Sequence, residues 1–318
     1  MKSNTLQFGK ALSAALFVLL LSAVGITKTY AYDFSAVCST GQTLYYNITD
    51  SNNHYVELTC PGTVGFNGWS GYTEPTGSII LPENVQYDGT TYSVTSIGSY
   101  AFSDCSGLTG SLTIPNSVTS IGTYAFSGCS GFTGSLTIPN SVITIGYSAF
   151  SLCSGFTGSL SIGNSVTTIG QWAFEDCSGF TGSLTIPNSV TAIGSGAFAG
   201  CSGFTGNLTI GNSVTLLSDT FHGCSGFTGS LTIGNSVTLI GNDTFFGCSG
   251  FTGSLTIPNS VTAIGSDAFG YCSGFTGILT IPNSVTTIGS SAFAGCSGFT
   301  EIHYNATNCA DCSYNYYD

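Results

Sequence analysis

Apolar residues recur along this chain in a fixed order. In GSLTIPNSVTSIGTYAFSGCSGFT, residues 110–133, Leu112 and Ile114 stand two apart with Thr113 between them. That alternation predicts a short strand with one face inward. Val118 and Ile121 form a second apolar pair, and Ala125, Phe126, Cys129 and Phe132 complete the inward set. The same order returns again and again toward the C-terminus. Its clearest marker is Cys105, Cys129, Cys153, Cys177, Cys201, Cys224, Cys248, Cys272 and Cys296, spaced by 24 residues except for 23 between Cys201 and Cys224. A fixed period of this length predicts a solenoid. One coil alone cannot offset its ordering entropy, so coils must stack on both faces. Stacked strands predict a parallel sheet at about 4.8 Å spacing, and about nine coils then span roughly 40 Å.

The rest of the chain divides around this array. Residues 1–31 read as a secretory signal peptide, with Lys2 and Lys10 before the apolar run Ala11 to Val24 and a cleavage site expected after Ala31. Residues 32–77 lack the repeat and read as an N-terminal cap. Within them TLYYNITD (43–50) and HYVELTC (54–60) predict two strands joined by Ser51-Asn52-Asn53. The solenoid is expected over 78–300. Its first coil carries an inserted hairpin with Asp88-Gly89 at the turn. Residues 301–318 are expected to be a partial repeat or a C-terminal tail.

Charge sharpens the picture. Lys2, Lys10 and Lys28 are the only basic residues, against 15 Asp and Glu. All 15 follow residue 31, so loss of the first segment takes the formal net charge from -12 to -15 and leaves no Lys or Arg. Such a surface has nothing to neutralise phosphate, so neither nucleic acid nor anionic lipid is an expected partner. No membrane insertion is expected after signal removal.

Thirteen cysteines raise the question of metal or redox chemistry. The nine repeated ones share phase with Ala and Phe core positions and read as small buried hydrophobes. Export makes a disulfide between Cys38 and Cys60 the expected alternative to two buried thiols. Cys309 and Cys312 form an isolated C-x-x-C, a weak signal for zinc or redox work. His54, His222 and His303 share no motif, and no nucleophile, metal-protease or phosphate-loop pattern is present. No catalytic residue, metal site or cofactor is therefore assigned.

Selectivity belongs where the copies differ. The column five residues before each repeated Cys reads Tyr100, Tyr124, Ser148, Trp172, Gly196, Asp219, Asp243, Asp267 and Ser291, and Tyr147 adds a further ring beside it. Tyr100, Tyr124, Tyr147, Trp172, Asp219, Asp243 and Asp267 are the candidate binding residues. The stacked Asp read either as caps of the Ala-Phe turn or as oxygen ligands for calcium. The Asn column from Asn116 to Asn283 reads as a ladder bonding buried turns of neighbouring coils.

The pattern L-T-I-P-N-S-V-T-x-I-G-x-x-A-F-x-x-C-S-G, covering about 78–300, resembles the BspA-like leucine-rich repeats of bacterial surface proteins. The resemblance implies a leucine-rich-repeat solenoid, β-rich, with a parallel sheet and short turns or 3-10 segments. It also implies a secreted or cell-surface protein used in adhesion and protein binding; with the absent motifs and the aromatic column, the expected protein is no enzyme and its partner an extracellular protein or glycan. Two other readings stand beside protein binding: a structural surface spacer without a dedicated ligand, and a glycan-binding module.

Overall fold

The computed structural model describes residues 32–305. The expected signal peptide and the Cys309–Cys312 motif lie outside the described residues. The described chain begins with β1 (Phe34–Val37), β2 (Thr43–Asp50) and β3 (Tyr55–Thr59), paired antiparallel in that order. β4 (Asn84–Tyr87) and β5 (Thr90–Ile97) form the expected hairpin. Asp88 and Gly89 both sit in the left-handed region there, at φ 47° and 75°, as the tightest hairpin turns require. β5 then pairs in parallel with β3 on one side and with Ser120–Ile121 on the other. The cap sheet therefore runs into the repeats without an open edge.

Most later coils contribute two short strands. One is the Leu-x-Ile strand, as at Leu136–Ile138, Leu184–Ile186 and Leu208–Ile210. The other, ending on the repeat isoleucine, is the longer run. Ile97, Ile121, Ile145, Ile169 and Ile193 pair successively in one nine-stranded sheet that includes the cap. Pairing is parallel and in register, Leu184 opposite Leu208 and Ile169 opposite Ile193. The period-two pattern puts Leu and Ile inward and leaves Thr outward.

Two phenylalanine columns fill the interior. From Phe102 to Phe293 successive rings stack at 5.1–5.6 Å and 2–17°. From Phe132 to Phe299 they stack at 5.1–6.1 Å and 3–15°. The repeat cysteines are all free thiols. From Cys129 to Cys296 each Sγ donates to the carbonyl of the Phe in the preceding coil at 3.0–3.1 Å. The repeated Cys is thus both a buried apolar side chain and a polar cross-link. A buried Phe carbonyl that faces another coil needs such a donor.

Cys38 and Cys60 are also free thiols, so the expected bridge is not formed. The reason is topological. Cys38 follows β1 and Cys60 follows β3, with β2 between them. Two strand spacings are about 9.6 Å, beyond the reach of a disulfide. Cys38 Sγ instead donates to Gln42 Oε1 at 3.3 Å, and Cys60 is packed against Gly68.

The Asn ladder forms in part of the array. The Asn side chains are exposed, beside buried Pro or Gly residues of the same turns. The ladder bond from an Asn N–H to the preceding Asn Oδ1 is present for Asn164, Asn212 and Asn235, at 2.7–2.9 Å. Those are the three coils with Gly before the Asn in place of Pro. A Cβ at Gly163 or Gly211 would come within 2.5 Å of the preceding Pro carbonyl. Glycine therefore lets adjacent turns approach closely enough to bond.

The cap closes the first coil by chemical substitution. In the array, Phe102 N–H donates to Ala125 O and Phe126 N–H to Ala149 O. Ala101 O has no preceding coil, and the indole Nε1–H of Trp69 supplies the missing donor at 3.1 Å. Trp69 is buried at that contact. Trp69→Phe keeps the ring and orphans the carbonyl, which costs about 1–3 kcal/mol. Amide hydrogen exchange should then accelerate over residues 98–108 while the coils beyond 200 keep their protection. Unchanged exchange there would show that another donor closes the coil.

The 23-residue interval interrupts the isoleucine sheet. The sheet that ends at Ala192–Ile193 does not continue to Leu216–Leu217, which starts a separate four-stranded sheet. Ser218 N–H turns instead to Thr220 Oγ1 at 3.1 Å. On the opposite faces the stack is unbroken: Leu208 pairs with both Leu184 and Leu231, and Phe198 stacks on Phe221 at 5.4 Å.

Candidate functional site

The variable residues lie on the turn edge, where Ala-Phe links the coil's two ends. N–H groups of Tyr100, Phe102 and Asp104 donate to Thr123, Ala125 and Ser127 carbonyls at 2.7–2.9 Å, and the pattern repeats along the edge. The first and last of these donors are left-handed. In the column Tyr100, Tyr124, Ser148, Trp172, Gly196, Asp219, Asp243, Asp267, Ser291, every residue has φ between 47° and 65°. The column one before each Cys is also left-handed throughout: Asp104, Gly128, Leu152, Asp176, Gly200, Gly223, Gly247, Tyr271 and Gly295.

This geometry explains the acidic run and corrects its reading. Asp219, Asp243 and Asp267 do not cap a helical turn, since a cap residue has extended geometry. Asp is there because it tolerates the left-handed region better than most side chains. No group of three Asp, Glu, His or Cys among the described residues is placed to hold a metal ion. Burial pushes the Asp219 carboxyl up, opposed by His222 and reinforced by Asp243. His222 Nδ1 lies 3.3 Å from Asp219 Oδ1.

Bulky aromatics at left-handed positions are strained, at about 1–2 kcal/mol each. Tyr100, Tyr124 and Trp172 nevertheless occupy three of them. The structure brings them together with Tyr147. Tyr100 and Tyr124 stack at 5.0 Å, Tyr147 meets Tyr124 edge-on at 5.2 Å, and Trp172 meets Tyr147 edge-on at 5.2 Å. In the third coil the left-handed residue is the buried Ser148, so the ladder steps to Tyr147 beside it. The hydrogen bond with Tyr124 pushes the Tyr147 phenol up to about 12, with burial and the Glu175 charge acting the same way. The ladder ends where the Trp172 indole lies against Gly196; a Cβ there would meet it at 2.2 Å.

Residues outside the sequence-derived set complete this edge. Phe66, from the cap's glycine-rich loop, is 61 % exposed and lies 5.2 Å from Tyr100 and 4.8 Å from Tyr124. It belongs to no repeat column, so no vertical comparison finds it. Farther along, His222, Phe246 and Tyr271 form a second ladder at 5.1 and 5.3 Å. Those residues stand one and two positions before the repeat Cys. The same comparison of copies, moved to those columns, locates them. The remaining candidates, Asp219, Asp243 and Asp267, lie apart from the first ladder, on the edge of the later coils.

A solenoid of stacked Leu-x-Ile coils with a variable turn edge is a leucine-rich-repeat scaffold, a class that presents extended surfaces to protein partners. This chain belongs to the BspA type leucine-rich-repeat family, whose model matches residues 95–228 and 214–316. It is similar in structure to a leucine-rich-repeat protein from Bacteroides ovatus, at 28% identity and TM-score 0.67 over 86% of this chain and 71% of that one. A leucine-rich-repeat protein from T. pallidum matches 80% of this chain and 87% of its own, at 19% identity and TM-score 0.47. No curated protein sequence matches the chain. Among the described residues no helix is long and apolar enough to cross a membrane.

Proposed function

We propose that the chain is a secreted or cell-surface adhesion protein that binds an extracellular protein through its turn edge. The observation that carries this is the ladder Phe66–Tyr100–Tyr124–Tyr147–Trp172. It is surface-borne, and three of its members are held at backbone positions that disfavour them. Strain kept at a column that other coils fill with Gly196 or Asp219 points to use. The rings pack on one another into a continuous strip with hydroxyls, and aromatic strips of that kind are enriched in protein interfaces. The sequence of residues 1–31 supports export, which puts the partner outside the cell.

The test is binding of the intact protein to immobilised extracellular-matrix proteins and glycans. The comparison is a triple variant, Tyr100→Asn, Tyr124→Asn and Trp172→Asn. Asn accepts left-handed geometry, so the variant should fold as the parent does. Binding to a matrix protein should fall at least about tenfold, the scale of lost interface hot spots. Equal binding by parent and variant, or no macromolecule bound, would overturn the proposal. Binding confined to glycans would move the assignment to a lectin.

A further inference from the structure

The first ladder is bordered by carboxylates. Asp104 and Asp176 occupy the second left-handed column, in the same coils as Tyr100 and Trp172, and both are exposed. Asp104 Oδ1 lies across Gly128 and Asp176 Oδ1 across Gly200, so both side chains run along the edge toward the next coil. Glu175 accepts the Ser151 hydroxyl at 3.2 Å, and its charge reaches Tyr147. No Lys or Arg follows Lys28 in the chain. These carboxylates therefore have no basic residue of the solenoid to pair with. An aromatic strip flanked by unpaired carboxylates offers one kind of side chain both halves of its chemistry. The aliphatic stem of Lys or Arg lies along the rings while the cationic head reaches a carboxylate.

We propose that the edge formed by Phe66, Tyr100, Tyr124, Tyr147 and Trp172 with Asp104, Glu175 and Asp176 is a docking site for a basic, Arg-bearing protein segment. This rests on the turn edge being the binding surface and adds the partner's chemistry. Arg suits the site better than Lys because its planar guanidinium bonds a carboxylate in two places and packs flat beside aromatic rings. The overall negative charge of the solenoid speeds the approach of such a partner. Phosphate-bearing and acidic partners are repelled by the same field.

The experiment uses a fluorescently labelled Arg-rich synthetic peptide, its citrulline counterpart (same shape, no charge) and a Glu-rich peptide of equal length. Binding is read by anisotropy at low and physiological salt. The Arg peptide should bind, and the other two should bind at least about tenfold more weakly. Removing edge charge by Asp104→Asn, Glu175→Gln and Asp176→Asn should cost about tenfold or more. Removing the same charge elsewhere, by Glu83→Gln, Asp88→Asn and Glu301→Gln, should cost much less. The Tyr100→Asn, Tyr124→Asn, Trp172→Asn variant keeps every charge and should still lose several-fold. Equal weakening by edge and remote charge variants, or full binding by the aromatic variant, would reduce the effect to general electrostatic attraction and overturn the proposal. Absence of Arg-peptide binding alongside matrix-protein binding would also overturn it, while leaving the adhesion reading in place. Absence of both would remove both.

Discussion

Raising the pH should unfold this protein cooperatively near pH 10, long before its backbone chemistry suffers. From Cys105 to Cys272 eight repeat thiols are fully buried. Burial pushes every one of them up, Cys224 to about 12. Half-buried Cys296 is pushed to about 11 by the same cause. A thiol whose folded pKa is raised favours the fold while it stays protonated. Its contribution is complete below the ordinary thiol pKa of about 8.5 and is lost as pH rises from there toward the folded value. Each such thiol shifts the unfolding constant tenfold per pH unit in that window, and eight acting together reach roughly 10 kcal/mol per pH unit. Ordinary domain stability of about 5–15 kcal/mol is exhausted within about one to two units. Circular dichroism and thiolate absorbance should therefore change together in one steep transition. Replacing Cys177, Cys201 and Cys224 by Ala should lower stability at pH 7 yet make the alkaline transition shallower. Thiols that titrate singly, with the sheet signal intact to pH 11, would refute the buried column. In the native protein at pH 7 the same burial should leave the repeat thiols unreactive to alkylating agents.

Phe174→Ala should divide the solenoid. Phe174 stacks on Phe150 and Phe198 at 5.3 Å each, and its carbonyl accepts the Cys201 thiol. The substitution opens a cavity in a fully buried column, at a cost of about 3–5 kcal/mol. In a quasi-one-dimensional array that loss falls on one interface and uncouples the coils on either side. The unfinished sheet between Ala192–Ile193 and Leu216–Leu217 lies one coil farther on, so the weakened interface sits beside an existing gap. Urea unfolding should change from one transition to two. Fluorescence follows the N-terminal half, which holds both tryptophans, Trp69 and Trp172, while circular dichroism follows the whole array. Hydrogen exchange assigns the less stable half. Phe66→Ala, at an exposed ring, should stay within about 0.5 kcal/mol and one transition. A single, merely shifted transition for Phe174→Ala would mean that the remaining faces couple the coils without the Phe column.

Architecture was legible because stacking turns a repeat into a column. Leu112, Ile114, Ile121, Phe126 and Cys129 recur at one period, so reading their copies vertically reads the core directly. The strand at the repeat isoleucine was less plain. Its two residues are too few for an alternating pattern, yet it builds the longest sheet because pairing with the cap through β5 extends it. Variation among copies also marked the edge residues Tyr100, Tyr124, Trp172 and Asp219. It did not show why those positions vary. The reason is the left-handed backbone, where no side chain is needed for packing and Gly or Asp suffices.

By itself the sequence determined the coil, its period, the inward residues and the absence of any basic side chain after Lys28. These are local or compositional properties, and periodicity preserves them against context. The tertiary structure alone decided what lies beside what across coils of different sequence. It set Phe66 from the cap onto Tyr100 and Tyr124, gave Ala101 its donor from Trp69, and kept Cys38 apart from Cys60 by inserting β2. It also put the 23-residue irregularity in the isoleucine sheet while the Leu208 strand and the Phe198–Phe221 stack stayed continuous. Each depends on contacts between segments that share no register, and a one-dimensional pattern carries no distance between such segments. The binding edge is the sum of both: variable residues named by the repeat, and neighbours that only folding could supply.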